Sequence, residues 1–217
     1  MRKKFVIDKL VKILKDRYDE DVAVEKLNDR DIFKILISTI LSQRTRDENT
    51  ERAASNLFSK ADSPEKILKL STKQLQKLIR SSGPFRQKAK RIKEVSKIII
   101  EKYKGKVPKT REKLMSLPGV GLKTSNIVLS YGYGKPVIAV DVHVEVTSKR
   151  LGLVPQNASV KEVEDKLEEL IPIKDKWIIN LGIVQFGREI CITRKPKCGI
   201  CPMSRYCNYF LNFRNYA

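Results

Sequence analysis

Apolar positions recur along this chain at helical intervals almost from end to end. Val6, Leu10, Ile13 and Leu14 fall on one face of a first helix, and Ile32, Phe33, Leu36, Ile37, Ile40 and Leu41 are dense enough to make a second nearly buried. Polar residues mark where helices begin. Ser63-Pro64-Glu65 reads as an N-cap with proline in the first turn, Ser71-x-x-Gln74 and Ser159-x-x-Glu162 as capping boxes, and Thr110 as a plain cap. Between them, Gly83-Pro84, Gly105 to Pro108, Gly132 to Pro136 and Pro155-Gln156-Asn157 mark turns. Only Pro136 to Val140 has the character of a strand, and no second run is there to pair with it. The pattern predicts an all-α protein of about ten helices, with no solenoid repeat and no low-complexity segment.

No apolar run approaches a membrane span, since even Ile32 to Leu41 is interrupted by Lys34, Ser38 and Thr39, so a soluble, intracellular protein is expected. The 217 residues suit one domain or two small ones, and a 41% hydrophobic content can fill a core. Charge adds a partner to this picture. With 45 Lys+Arg against 25 Asp+Glu the chain carries +20, an excess that favours a polyanion, of which nucleic acid is the commonest. A solvated, lysine-rich surface of a heat-adapted protein is the competing explanation.

The four cysteines, Cys191, Cys198, Cys201 and Cys207, all fall within 17 residues in the spacing C-x6-C-x2-C-x5-C. Four thiolates around one short loop suit a tetrahedral zinc ion or an iron–sulfur cluster. Structural disulfides fit poorly in a chain of this size without a secretory signal. Zinc stays open, although its usual paired C-x2-C knuckles are represented only by Cys198 and Cys201.

A second chemical feature is Leu117-Pro118-Gly119-Val120-Gly121-Leu122-Lys123-Thr124. One helix ends before Pro118, the glycines allow a tight turn that brings backbone N–H groups close to a partner, and a new helix begins near Leu122, an arrangement suited to an anion. An ordinary corner with Val120 packed into the core is the plainer alternative. Lys123 falls in the first turn of the new helix, where the positive helix end disfavours an ammonium, so its pKa is expected to fall, as suits a Schiff-base nucleophile, while a surface lysine that touches a phosphate is the plainer alternative. Further on, the apolar run Val137-Ile138-Ala139-Val140 leads to Asp141, placed to cap a helix running to about Leu151. His143 is the single histidine, which rules out a histidine-rich metal site.

The hairpin, the Asp141 segment and the cysteine loop, in this order, resemble the endonuclease III family of DNA glycosylases over nearly the whole chain, from about residue 20 to Cys207. The resemblance implies an all-α helix-hairpin-helix glycosylase fold. It also implies a six-helix barrel domain (25–134) inserted between residues 1–24 and 135–217, which together would form an iron–sulfur cluster domain. It implies a cleft with Lys123 on one lip and Asp141 on the other, a 4Fe-4S cluster on Cys191, Cys198, Cys201 and Cys207, and a phosphate held by Pro118, Gly119, Val120, Gly121 and Thr124. The implied substrate is double-stranded DNA carrying damaged bases, by family default oxidised pyrimidines, or abasic sites. The resemblance further implies an enzyme that acts as a monomer in the cytoplasm, near the nucleoid. In the implied chemistry Lys123 attacks C1′ of a flipped nucleotide and β-elimination then cuts the strand, with the Asp141 carboxylate accepting a proton and stabilising positive charge on the sugar.

Leu41 to Asp47 resembles the family loop that fills the gap left by the flipped base. Gln43 is present, but a gapless match puts Arg44 in the filling position. Ser82 to Arg86 resembles the loop that wedges an apolar side chain into the stack, with Pro84 at the wedge and Phe85 beside it. His143 is counted with the DNA-contacting residues, packing or hydrogen bonding beside Asp141. The arginine common past this histidine is missing from Glu145-Val146-Thr147. Arg188, Arg194, Lys195 and Lys197 give the cysteine loop a basic surface. Two alternatives differ in Lys123: a monofunctional mismatch glycosylase carries another residue there, and a non-catalytic helix-hairpin-helix DNA-binding protein has no need of Lys123 and Asp141 together.

Overall fold

The computed structural model describes residues 2–18 and 31–214. Among these residues it contains twelve α-helices and no strand. They are α1 (Arg2–Tyr18), α2 (Ile32–Ser42), α3 (Asp47–Phe58), α4 (Pro64–Lys69), α5 (Thr72–Leu78), α6 (Phe85–Tyr103), α7 (Arg111–Met115), α8 (Leu122–Ile127), α9 (Val142–Leu151), α10 (Val160–Leu170), α11 (Lys176–Glu189) and α12 (Asn208–Arg214). No described helix is long and apolar enough to cross a membrane.

Local chemistry sets the helix starts. Ser63 accepts the Lys66 N–H ahead of Pro64, Thr110 accepts that of Lys113, and Ser71 with Gln74 and Ser159 with Glu162 close reciprocal capping boxes. Each cap satisfies amides that have no intrahelical partner and contributes about 1 kcal/mol.

The chain divides into two compact units. One contains α1 and the described residues from Pro136 onward, the other residues 31 to 135. The domain boundary after residue 24 implied by the resemblance lies outside the described residues. In the first unit, α1 packs on α11 and α11 on α9. Their shared core includes Leu10 and Leu14 of α1, Val144 of α9, Leu167 of α10, and Ile179, Ile183 and Phe186 of α11. In the second, α2 presents the buried Phe33, Leu36, Ile37, Ile40 and Leu41 and packs against α3, α6 and α8, while α6 also packs on α4 and α5. Each such side chain removed from water contributes about 1.5–3 kcal/mol.

The segment Pro136 to Val140 forms neither helix nor strand, and side chains take the place of a neighbouring strand. The Ile138 N–H donates to Glu168 Oε1 and the Ala139 N–H to Asn180 Oδ1, both at 2.8 Å, while Asn180 Nδ2 donates to the Val137 carbonyl at 2.8 Å. Its apolar side chains can therefore be buried with these backbone groups satisfied. This fixes the approach to Asp141.

Candidate functional site

The hairpin between α7 and α8 is built on two buried side chains, Leu117 and Val120, joined by a Val120 N–H bond to the Leu117 carbonyl at 3.1 Å. The turn between them needs glycine: Gly119 has φ +76°, and a Cβ there would stand 2.8 Å from Arg91 Cδ. Pro118 is half-buried, while Gly119 and Gly121 are exposed. Gly121 is the N-cap of α8 and offers no side chain to its first amides, which leaves them open to an anion. Lys123 is exposed in that first turn and Thr124 is buried behind it. Beyond Ile127 the helix widens into a π-helical stretch, Val128–Gly132, a departure often found near functional sites.

Gln43 reaches this hairpin. Its Nε2 donates to the Gly119 carbonyl at 2.8 Å and to Thr124 Oγ1 at 3.5 Å, and its Oε1 accepts from Arg91 Nη1 at 3.5 Å. Arg44 is exposed, with a left-handed backbone at φ 52°. Pro84 is exposed at the N-cap of α6, and Phe85 is half-buried with the Arg86 guanidinium 5.8 Å from its ring centroid. Lys88, not singled out among the candidates, lies buried between the Gln43 and Pro84 loops and donates to Leu41, Thr45 and Ser82. A signal existed: Lys88 heads the stripe Ile92, Val95, Ile99, at a position where that periodicity calls for an apolar residue.

In the other unit, Asp141 caps α9, its Oδ1 accepting the N–H groups of His143 and Val144, both at 2.9 Å. Both bonds fall on the same carboxylate oxygen. The His143 ring lies against Gly187 of α11, where a Cβ would fall 2.5 Å from Nδ1. Glu145 is paired with Lys149 one turn on, at 2.6 Å, which directs its charge along the helix.

The four cysteines are free thiols that line one small pocket together with Ile190, Pro196, Tyr209 and Phe210. Burial pushes the Cys201 thiol up to about 11 and raises Cys198 and Cys207, and neighbouring cysteines add to each shift in the same direction. Thiols gathered this way stay protonated until a cation takes the charge. Backbone N–H groups of Met203, Tyr209 and Phe210 point at the Cys201 and Cys207 sulfurs, the usual support for ligating sulfur. Among the described residues no three His, Cys, Asp or Glu side chains converge as ligands of one metal ion. Four thiols lining one pocket are a donor set for a metal ion or a metal–sulfur cluster. Arg150 of α9 was also not legible beforehand, because an arginine in a last helical turn carries no distinguishing mark. Its guanidinium donates to the carbonyls of Cys191, Ile192 and Thr193 at 3.2, 3.0 and 2.6 Å and to Cys191 Sγ at 3.4 Å, and lies 4.9 Å from the Tyr209 ring centroid. It straps both ends of the loop. Arg194, Lys195 and Lys197 stand exposed on that loop.

A hairpin of this construction in an all-helical chain defines a class, and residues 37–173 match the family described as HhH-GPD superfamily base excision DNA repair protein. Endonuclease III of Thermotoga maritima is 48% identical over 181 residues, covering 83% of this chain and 84% of that protein. A solved trapped endonuclease III–DNA covalent intermediate, an estranged-adenine complex, is 36% identical with a TM-score of 0.89, covering 97% of this chain and 98% of that one. A thermostable thymine-DNA glycosylase is 29% identical with a TM-score of 0.85, covering 97% of each chain. The chain belongs to the endonuclease III family of this superfamily.

Proposed function

We propose that this protein is a bifunctional DNA glycosylase and abasic-site lyase of base excision repair that removes oxidised pyrimidines through a Schiff base on Lys123. The observation that carries the reading is the exposed Lys123 amine in the first turn of α8, beside a hairpin with open amides. It stands in a chain alike over nearly its whole length to an endonuclease III caught as a covalent DNA intermediate. The substrate is duplex DNA with a damaged base or an abasic site, and the protein works as a monomer in the cytoplasm.

The hairpin amides and Thr124 take a backbone phosphate, which sets the register of the duplex. Arg44 enters the gap left by the flipped nucleotide, Gln43 ties that loop to the hairpin, and Pro84 with Phe85 wedge the stack. The Lys123 nitrogen bonds to C1′ and the glycosidic bond breaks, the base leaving with the electron pair and taking a proton from water. The proton lost by the attacking amine goes to the Asp141 carboxylate. Opening of the sugar ring gives an imine, which acidifies the C2′ proton; its removal expels the 3′ phosphate and cuts the strand. Cys191, Cys198, Cys201 and Cys207, which line one pocket, would hold a 4Fe-4S cluster, favoured over zinc by their C-x6-C-x2-C-x5-C spacing and by the family resemblance. When bound it supplies order, fixing the loop that carries Arg194, Lys195 and Lys197. Lys123 also separates this reading from that of a monofunctional glycosylase.

The test is borohydride trapping on abasic-site duplex. Wild type is expected to be captured covalently, and Lys123→Ala to lose both capture and cutting while its DNA affinity stays within a few fold, since one ammonium among 45 basic residues is a minor binding term. Capture of Lys123→Ala would assign the nucleophile to another amine.

A further inference from the structure

The side of α6 that meets α2 carries two cations one turn apart, Lys88 and Arg91. Lys88 is 1% exposed, and its ammonium gives its protons to three neutral oxygens: the Leu41 carbonyl at 2.5 Å, Thr45 Oγ1 at 2.7 Å and the Ser82 carbonyl. Leu41 lies in the last turn of α2, where carbonyls lack helical partners and a cation suits the helix dipole. Thr45 in turn donates to the Ser82 carbonyl at 2.6 Å, so the two loops are bonded to each other as well as to the ammonium. Their backbones are in close contact: Gly83, at φ +75°, has no room for more, because a Cβ there would stand 3.1 Å from both the Arg44 carbonyl oxygen and Thr45 Oγ1. Arg44 holds a left-handed backbone at φ 52°, which a residue with a Cβ keeps only where its surroundings over-determine the loop.

For stability alone this is a poor use of the position. Burying a cation against neutral oxygens carries a desolvation cost that an apolar side chain continuing the Ile92, Val95, Ile99 stripe would avoid. Burial, and to a smaller degree the Arg91 charge, brings the Lys88 pKa down to about 8, so the ammonium persists at neutral pH. What an ammonium offers here is direction, with three donors aimed at once. Arg91 extends the arrangement through Gln43 to the Gly119 carbonyl.

We propose that Lys88 is a positioning residue that locks the loop carrying Gln43 and Arg44 to the loop carrying Pro84 and Phe85, so that both enter the duplex as one rigid unit. This rests on the assignment of the two loops to the flipped-base gap made above. The lock matters most when a base must be taken out of the stack and kept out, and less when the sugar bears no base, because there is then nothing to unstack.

The test uses the full chain with its metal, comparing wild type, Lys88→Met, which keeps the stem and removes the donors, and Thr45→Val, which keeps the shape and removes one acceptor and the loop-to-loop bond. Single-turnover rates are measured for base release from a duplex carrying thymine glycol and for cutting of the same duplex with a preformed abasic site. Thermal melting and the fluorescence of 2-aminopurine opposite the lesion are followed alongside. In both variants base release is expected to fall at least about tenfold further than abasic cutting, and the 2-aminopurine brightening seen with wild type to be lost. If the two rates fall by one common factor, tracking the folded fraction, the positioning role is overturned and the repair function stands. A wild-type protein that cuts neither substrate overturns the repair function and this proposal with it. Should Lys88→Met fail to fold, Thr45→Val decides alone.

Discussion

Asp141 commits one carboxylate oxygen to two backbone N–H groups at the head of α9. Replacement by asparagine keeps an oxygen in the same place, so the cap, a contribution of about 1 kcal/mol, is retained while the negative charge is lost. Asp141→Asn is therefore expected to melt with the wild type yet slow base release by about two to four powers of ten, the usual loss for a proton acceptor or a charge stabiliser. Single-turnover kinetics beside a melting curve check this. A rate near that of the wild type would leave Asp141 only its cap. Glu145, which the sequence places close to the site, has its charge engaged by Lys149.

At the scale of elements, the stretch from Cys191 to Cys207 has little of its own to hold it. It contains only two short 3-10 turns, Cys198–Ile200 and Ser204–Tyr206, and apart from Met203 and Cys207 none of its side chains is buried. Arg150 binds the start of the loop and touches the ring of Tyr209 just past its end, and on the proposed cluster reading ligation would order the rest. Purified protein should be yellow-brown and carry about four irons per chain, as one cluster on four thiolates requires. Cys198→Ala should lose the visible absorbance, become open to proteolysis between α11 and α12, and bind duplex DNA more weakly. Colourless protein with one tightly held zinc would replace the cluster and leave the repair function untouched.

At the scale of the whole molecule, the charge of +20 is the term that governs affinity for undamaged DNA. Log affinity should fall linearly with log salt, with a slope of about −0.9 for each phosphate contacted, as a titration of labelled duplex across salt concentrations will measure. An affinity indifferent to salt would mean that the positive charge serves another partner.

What the sequence determined by itself was local in origin. Helix starts at Ser63, Ser71, Thr110 and Ser159 rest on a cap and an amide three residues away, and the hairpin turn rests on glycines within one short string, so neighbours in sequence carry the whole physical cause. The short cysteine spacing likewise brings four thiols around one pocket. The tertiary structure alone decided where distant groups are satisfied. The backbone N–H groups of Ile138 and Ala139 find Glu168 and Asn180, Arg150 finds the carbonyls of the cysteine loop, and the Lys88 ammonium finds Leu41, some 47 positions earlier in the chain. No sequence interval encodes such pairs. They form because a polar group buried by the packing of apolar faces has to meet a partner there, and which partner it meets is set by how the helices come together.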